Sequence, residues 1–239
     1  MRMALTACGL ALATMISPAC ARNLTAPMSN SLLTQAPAAN GLSNATLLIV
    51  RHAEKTGYGD GLSPAGDMRA QVYADYFSHF ELNGAKLQID TLVASTDTRD
   101  SARPRLTLEP LSLETGMEIV QPCADHAIGQ LVDWLKQQPA DQTTLISWHH
   151  TKMAKLLGAL GVDTATLLPQ GRWPDDVFDW VVALRFDAQG KLIPSATQIV
   201  REPAAVNDVV WQVMAHPTVR PLYVQDRPSS SDYSQLAER

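Results

Sequence analysis

Thr46-Leu47-Leu48-Ile49-Val50-Arg51-His52-Ala53-Glu54-Lys55 joins an uncharged aliphatic run directly to a row of charged and titratable side chains. The run at 46–50 is short and rich in β-branched and leucine side chains. That pattern predicts a strand buried on both faces, as in the middle of a parallel sheet. In layered α/β folds ligands bind just beyond the carboxyl ends of such strands. The residues that follow Val50 therefore carry extra weight.

The neighbouring segments support the same layering. Ser63 followed by Pro64 predicts a helix start, because Ser63 can cap and Pro64 lacks only an N–H that the first turn does not need. That helix is expected over 64–80, with Val72, Tyr76 and Phe80 on one face. Further strands are expected at 91–94, 118–121 and 143–148, with helices at 128–136 and 153–160. Segments 177–186 and 191–200 flank Asp187-Ala188-Gln189-Gly190, a hairpin signal. Strands alternating with helices predict an α/β three-layer sandwich, with a mostly parallel central sheet flanked by helices and a late antiparallel hairpin.

Composition narrows the function classes. The chain has 239 residues, 46% hydrophobic and 18% charged, with a formal charge of −5. It is too polar for a bundle of membrane spans and too apolar for a disordered chain. The acidic balance argues against a nucleic-acid partner. Three cysteines exclude a disulfide-rich scaffold and a four-cysteine zinc site.

The ends read as separate segments. Residues 1–21 combine Arg2, an apolar run and the small residues Ala19-Cys20-Ala21, which is the pattern of a cleaved signal peptide and of an exported protein, periplasmic or secreted. The apolar run is too short for a transmembrane span. Cys20 raises a lipid anchor, but Ser17 and Pro18 stand where a lipobox has other residues, so simple cleavage ranks first. Cleavage removes Cys8 and Cys20 and leaves Cys123 alone. Residues 22–45 read as a flexible leader, 46–215 as one domain and 216–239 as a tail.

Three strand ends offer cationic and nucleophilic side chains together: Arg51 to Lys55, Ser95 to Arg103, and Trp148 to Thr151. Arginine's planar fork matches phosphoryl oxygens. A neutral imidazole, with an ordinary pKa of ~6.5, is a competent nucleophile without a metal. These three ends predict an anion pocket inside an acidic protein.

The same residues resemble motifs of the histidine phosphatase superfamily, the phosphoglycerate-mutase-like fold. Leu48 to Glu54 resembles its Arg-His-Gly/Ala strand end, and Leu62-Ser63-Pro64-Ala65-Gly66 its helix start. Ser95-x-x-x-Arg99 resembles its second arginine motif, and Leu145 to His150 the strand bearing its second histidine. Trp173 to Asp179 resembles a late element of some bacterial members. The resemblance implies His52 as nucleophile and Arg51 and Arg99 as the phosphoryl clamp, with no metal or other cofactor. A small phosphorylated substrate is implied as partner. Trp-Glu-His relatives put His150 in the second catalytic place and His149 at their glutamate, where it would help to bind the phosphate, and this assignment ranks first. The commoner pattern, an apolar residue four places on, instead points to His149 with Met153. Arg103 and Arg105 lie near the second motif, where Pro104 departs from the Thr-Ala of relatives.

The leaving oxygen needs a proton donor within hydrogen-bond reach. Asp125 is the first candidate, although a helix-start carboxylate reads equally well there. His126 and Glu54 are the others, and Glu54 with Lys55 also reads as a pair at the pocket rim. Cys123 lacks Cys-x5-Arg, so a cysteine phosphatase is set aside. No His-Glu-x-x-His or Gly-x-x-x-x-Gly-Lys occurs, which removes zinc-hydrolase and P-loop readings. Ala53 and the short 56–61 segment argue against a sugar-phosphate mutase. The expectation is an exported phosphomonoesterase acting through phosphohistidine. Its alternative is a weakly catalytic protein that binds phosphate or a phospholigand.

Overall fold

The computed structural model describes residues 40–216. The expected signal peptide, the lipid chemistry at Cys20, leader residues 22–39 and tail residues 217–239 lie outside the described residues.

The strands are β1 (Thr46–Arg51), β2 (Glu81–Leu82), β3 (Ala85–Lys86), β4 (Thr91–Ala94), β5 (Ile119–Val120), β6 (Thr143–Trp148), β7 (Trp180–Arg185) and β8 (Gln198–Arg201). The helices are α1 (Pro64–Ser78), α2 (Arg103–Thr115), α3 (Ile128–Lys136), α4 (His150–Ala159), α5 (Thr164–Leu167) and α6 (Ala204–Ala215). Six strands form one sheet in the order β5-β4-β6-β1-β7-β8. The first four run parallel, while β7 and β8 are antiparallel additions beside β1. The small β2–β3 hairpin stands apart.

Strand alternation sends side chains to two cores. Leu48, Val50, Leu92, Ala94 and Leu145 pack with Tyr73 and Phe77 of α1 and Leu108 and Leu111 of α2. Leu47, Ile49, Val93, Ile146 and Trp148 pack with α3 and α4. The result is the expected three-layer α/β sandwich. Helix α6 adds a small third core by setting Val210 and Val213 against Ala65 and Met68.

Central register sets up the site. Arg51 of β1 pairs with Trp148 of β6, so both strands end level. The residues that follow, His52 and His149, therefore emerge side by side. The N–H of His52 donates to the carbonyl of Trp148 at 2.9 Å and extends that pairing by one step.

Several boundaries differ from expectation. Residues 40–45 are packed rather than a free leader end: Leu42 and Ala45 are buried, and Gly41 lies so close to α3 that a Cβ would meet the Leu135 carbonyl oxygen at 2.2 Å. Helix α4 starts at His150, three residues early. Strand β8 starts only at Gln198, because Pro194 opens a 3-10 turn, Pro194–Ala196, between it and the hairpin bridge Phe186–Leu192. Helices α2 and α6 were not expected at all. Pro104 falls in the first turn of α2, where its missing N–H costs nothing.

Candidate active site

His52 is 2% exposed, and its ring orientation is fixed by one bond. Its Nδ1 lies 2.7 Å from the carbonyl oxygen of Ala53. A carbonyl only accepts, so Nδ1 carries the proton and Nε2 keeps its lone pair. Burial pushes the ring's pKa down to about 3, aided by His149, Arg51 and Arg103 and opposed by the Ala53 bond. The imidazole is neutral at any ordinary pH.

The loop bearing His52 is tied down from both sides. The Ala53 N–H donates to Thr107 Oγ1 at 2.9 Å, and that hydroxyl donates to the Arg103 carbonyl at 2.8 Å. One buried threonine thus couples the end of β1 to the first turn of α2. Gly66 permits the approach of α1 to the same loop, since a Cβ there would meet the Glu54 carbonyl oxygen at 2.1 Å. The Ser63 hydroxyl accepts from the Gly66 N–H at 3.1 Å, as its capping role requires.

Arg51 is also buried. Its Nη1 donates to the carbonyls of Asp175 (2.8 Å), Val177 (3.0 Å) and Pro174 (3.3 Å). Phe178 stacks beneath the guanidinium, 3.7 Å from ring centroid to Cζ. The segment from Trp173 to Asp179 is therefore a cradle for Arg51, a role that sequence reading missed because only the tertiary fold brings it to β1. Its own closure uses Trp173 Nε1, which donates to the Val177 carbonyl. Burial lowers the Arg51 pKa to about 10, against the pull of Glu54 and Asp175. Its Nε is buried without a protein partner.

The expected second arginine is displaced. After β4 the chain makes a Thr98–Ser101 turn, and Arg99 stands exposed on it. Arg103, four residues on, takes the inward place. It acts electrostatically on both His52 and His149, and burial lowers its pKa. Its Nη1 donates to the Gly59 carbonyl at 3.1 Å, while its Nε is buried and unpartnered. Arg105 instead pairs with Asp97 and Glu109. The usable signal was Arg103-x-x-x-Thr107 at a proline-opened helix start, read too early in the loop.

Of the two candidate second histidines, His149 lies nearer His52, with ring centroids 5.2 Å apart against 6.2 Å for His150. Burial lowers the pKa of both. Arg51 Nη2 donates to His150 Nδ1 at 3.1 Å, so His150 Nε2 bears the proton and faces Asp175 Oδ1 at 3.2 Å. Both nitrogens of His150 are committed. His149 makes no side-chain hydrogen bond among the described residues, and Asp125 pulls its pKa upward. Met153, four places beyond His149, is fully buried and seats α4.

Asp125 is partly buried, with Oδ1 3.3 Å from Nδ1 of the exposed His126. Its carbonyl accepts from Trp148 Nε1 at 3.1 Å, which anchors it beside the end of β6. Glu54 is not free: Arg69 Nε and Nη2 donate to it at 2.8–3.1 Å. Lys55 is exposed at the rim of a cavity of about 790 Å³ that reaches Arg51 and His150. No three His, Cys, Asp or Glu side chains converge as a metal-ligand set among the described residues.

No protein-family model matches the chain, and no curated protein does. Among solved structures, it is similar to a putative phosphohistidine phosphatase from Agrobacterium tumefaciens, at 21% identity over 65% of this chain and 97% of that one, with a TM-score of 0.43. A mycobacterial glucosyl-3-phosphoglycerate phosphatase is similar at 17% identity over 66% and 97%, with a TM-score of 0.40. A phosphoglycerate mutase from Plasmodium falciparum is similar at 13% identity over 63% and 88%, with a TM-score of 0.42. The solved structures to which this chain is similar include phosphatases and a mutase.

Proposed function

We propose that this protein is a metal-independent phosphomonoesterase of the histidine phosphatase type, exported by way of its apolar N-terminus. The observation that carries the reading is the fixed tautomer of His52. Its Nε2 lone pair is held neutral among two arginines, Arg51 and Arg103, that each keep a buried, unpartnered Nε–H. Phosphoryl oxygens suit such charged guanidinium donors, which stabilise the charge that develops on them.

In the first step His52 Nε2 attacks phosphorus and the bond to the leaving oxygen breaks, with Asp125 giving that oxygen its proton. In the second, water attacks the phosphohistidine, the N–P electron pair returns to Nε2, and Asp125 takes the water proton. Arg51, Arg103 and His149 hold the phosphoryl oxygens through both steps. His150 is a positioning residue, bridging Arg51 and Asp175.

Rapid quench with a labelled aryl phosphate tests this. An acid-labile, base-stable label is expected on the wild-type chain and not on His52→Ala. Turnover should fall by roughly 10⁴-fold or more in that variant, the scale of removing a nucleophile. Tight phosphate binding with neither label nor turnover would establish the binding-protein alternative.

A further inference from the structure

We propose that Thr107 of α2 is a positioning residue for the nucleophile, setting the direction of the His52 lone pair through Ala53. This rests on the phosphatase reading of the site. The structure shows a continuous chain of three hydrogen bonds. The Thr107 hydroxyl donates to the Arg103 carbonyl at 2.8 Å and accepts from the Ala53 N–H at 2.9 Å. The Ala53 carbonyl then accepts from His52 Nδ1 at 2.7 Å. Thr107 and Ala53 are fully buried, and His52 nearly so.

A threonine or serine inside a helix commonly bonds the carbonyl four residues back and nothing more. Ser78 of α1 makes that bond to Ala74 at 2.7 Å from an exposed position. Thr107 makes the same bond and also accepts from a backbone N–H 54 positions away in the chain. A hydroxyl can do both at one atom, because it is donor and acceptor together. The Ala53 N–H has no strand partner, since β1 ends at Arg51 and the His52 N–H makes the last bond to Trp148. On the other side, the Glu54 carbonyl accepts from the Ser63 N–H at 2.9 Å. Residues 53 and 54 are thus pinned between α2 and the start of α1. The Thr107 bond is the pin next to the nucleophile.

This pin matters most during the reaction. As Nε2 gives its lone pair to phosphorus, the ring becomes cationic and Nδ1–H becomes a charged donor. A carbonyl held in line with it stabilises that charge without having to move. A carbonyl free to swing also releases the ring to its other tautomer, in which Nε2 carries the proton and has no lone pair to give. Arg103 depends less on the hydroxyl, because the α-helical ladder bonds its carbonyl in any case.

Thr107→Val keeps the side-chain shape and deletes the hydroxyl. In the full chain, phosphohistidine labelling by an aryl phosphate should slow by about 10²-fold, the scale of misplacing a reacting atom by ~1 Å. The Kd for inorganic phosphate should stay within about 3-fold, because the clamp itself is kept. Thr107→Ser, which restores the hydroxyl, should recover most of the lost rate. Imidazole nitrogen NMR reads the tautomer without turnover. His52 is expected with its proton on Nδ1 alone in the wild-type chain, and as a mixture in Thr107→Val. Thr107→Ala carries the same expectations if the valine variant does not fold, and the wild-type spectrum decides if neither does. A proton on Nε2 in the wild-type chain overturns the inference. So does a wild-type rate and tautomer without the hydroxyl, or an equal loss in the valine and serine variants. A tautomer change in a protein that is never labelled removes only the catalytic reading. Normal labelling of the wild-type chain with no effect of Thr107→Val removes only the role of Thr107.

Discussion

Arg51 and Arg69 are both buried, at 2% and 3% exposure, yet their surroundings are opposite. Arg69 sits among acids. Glu54 accepts two of its nitrogens, and Glu202 accepts Nη1 at 2.5 Å. Tyr73 bonds the other oxygen of Glu202, and Asn207 completes the set. Burial alone would lower the Arg69 pKa, but Tyr73, Glu54 and Glu202 carry it above the ordinary value. Arg51 instead meets neutral carbonyls and an aromatic face, and its pKa falls to about 10. One buried charge is neutralised by its own protein. The other is positioned by neutral groups, with Glu54 and Asp175 acting on it but no carboxylate bonded to it among the described residues, which suits an anion receptor.

The largest expected effect breaks the first half of this contrast. Arg69→Met should destabilise the protein by about 3–5 kcal/mol, because it strands Glu202 and Glu54 in the interior. Chemical denaturation reads it; a loss below 1 kcal/mol would show that the network is not a closed ion cluster. Arg51→Met and Arg103→Met should lower kcat/KM by roughly 10²–10³-fold, the scale of a lost charge-stabilising donor. Arg99→Ala should stay within about 2-fold. If Arg99→Ala is the damaging change, the second clamp has been placed four residues too late.

Stability against pH separates the two clusters in sign. His52 is depressed to about 3, so unfolding takes up a proton between pH ~6.5 and ~3, and stability falls as pH falls through that window. Burial lowers His149 and His150 in the same direction. Glu202 is raised by burial to about 7, so the folded state holds the extra proton, and its contribution is lost as pH rises from about 4.5 through 7. Each slope is about 1.4 kcal/mol per pH unit, and they oppose one another near pH 5–6. Glu202→Gln should therefore steepen the rise of stability with pH, and His52→Gln should flatten or reverse it. Thermal denaturation across pH 4–8 checks both signs.

The smallest effect concerns the cradle. Phe178→Leu removes the aromatic face under Arg51, worth about 0.5–2 kcal/mol as a cation–π contact. A few-fold to 10-fold loss in kcat/KM with an unchanged fold is expected, and no loss would mean that the three carbonyls alone hold the guanidinium.

The fold was legible where a local pattern fixes structure by itself. Residues 47–50 are an aliphatic run and 143–148 are rich in β-branched and aromatic side chains, so both read as strands, and Ser63-Pro64 writes a helix start in two residues. Helix α2 was not legible, because Pro104 and Pro110 argue against a helix unless Leu108 and Leu111 have a sheet to pack on. Strand β8 was misplaced for the same reason, since its pairing with β7 is decided by a partner strand and not by its own residues.

The sequence by itself determined that His52 follows a buried strand and that cationic residues cluster at three strand ends, because strand burial and periodicity are local. The tertiary structure decided which arginine turns inward, which histidine lies beside His52 and what seats Arg51. Loop direction and parallel register depend on contacts between residues far apart in the chain, such as Ala53 with Thr107, 54 positions on, and Arg51 with Asp175, 124 positions on. No local pattern encodes those contacts, and they are what turns a set of reactive side chains into a site.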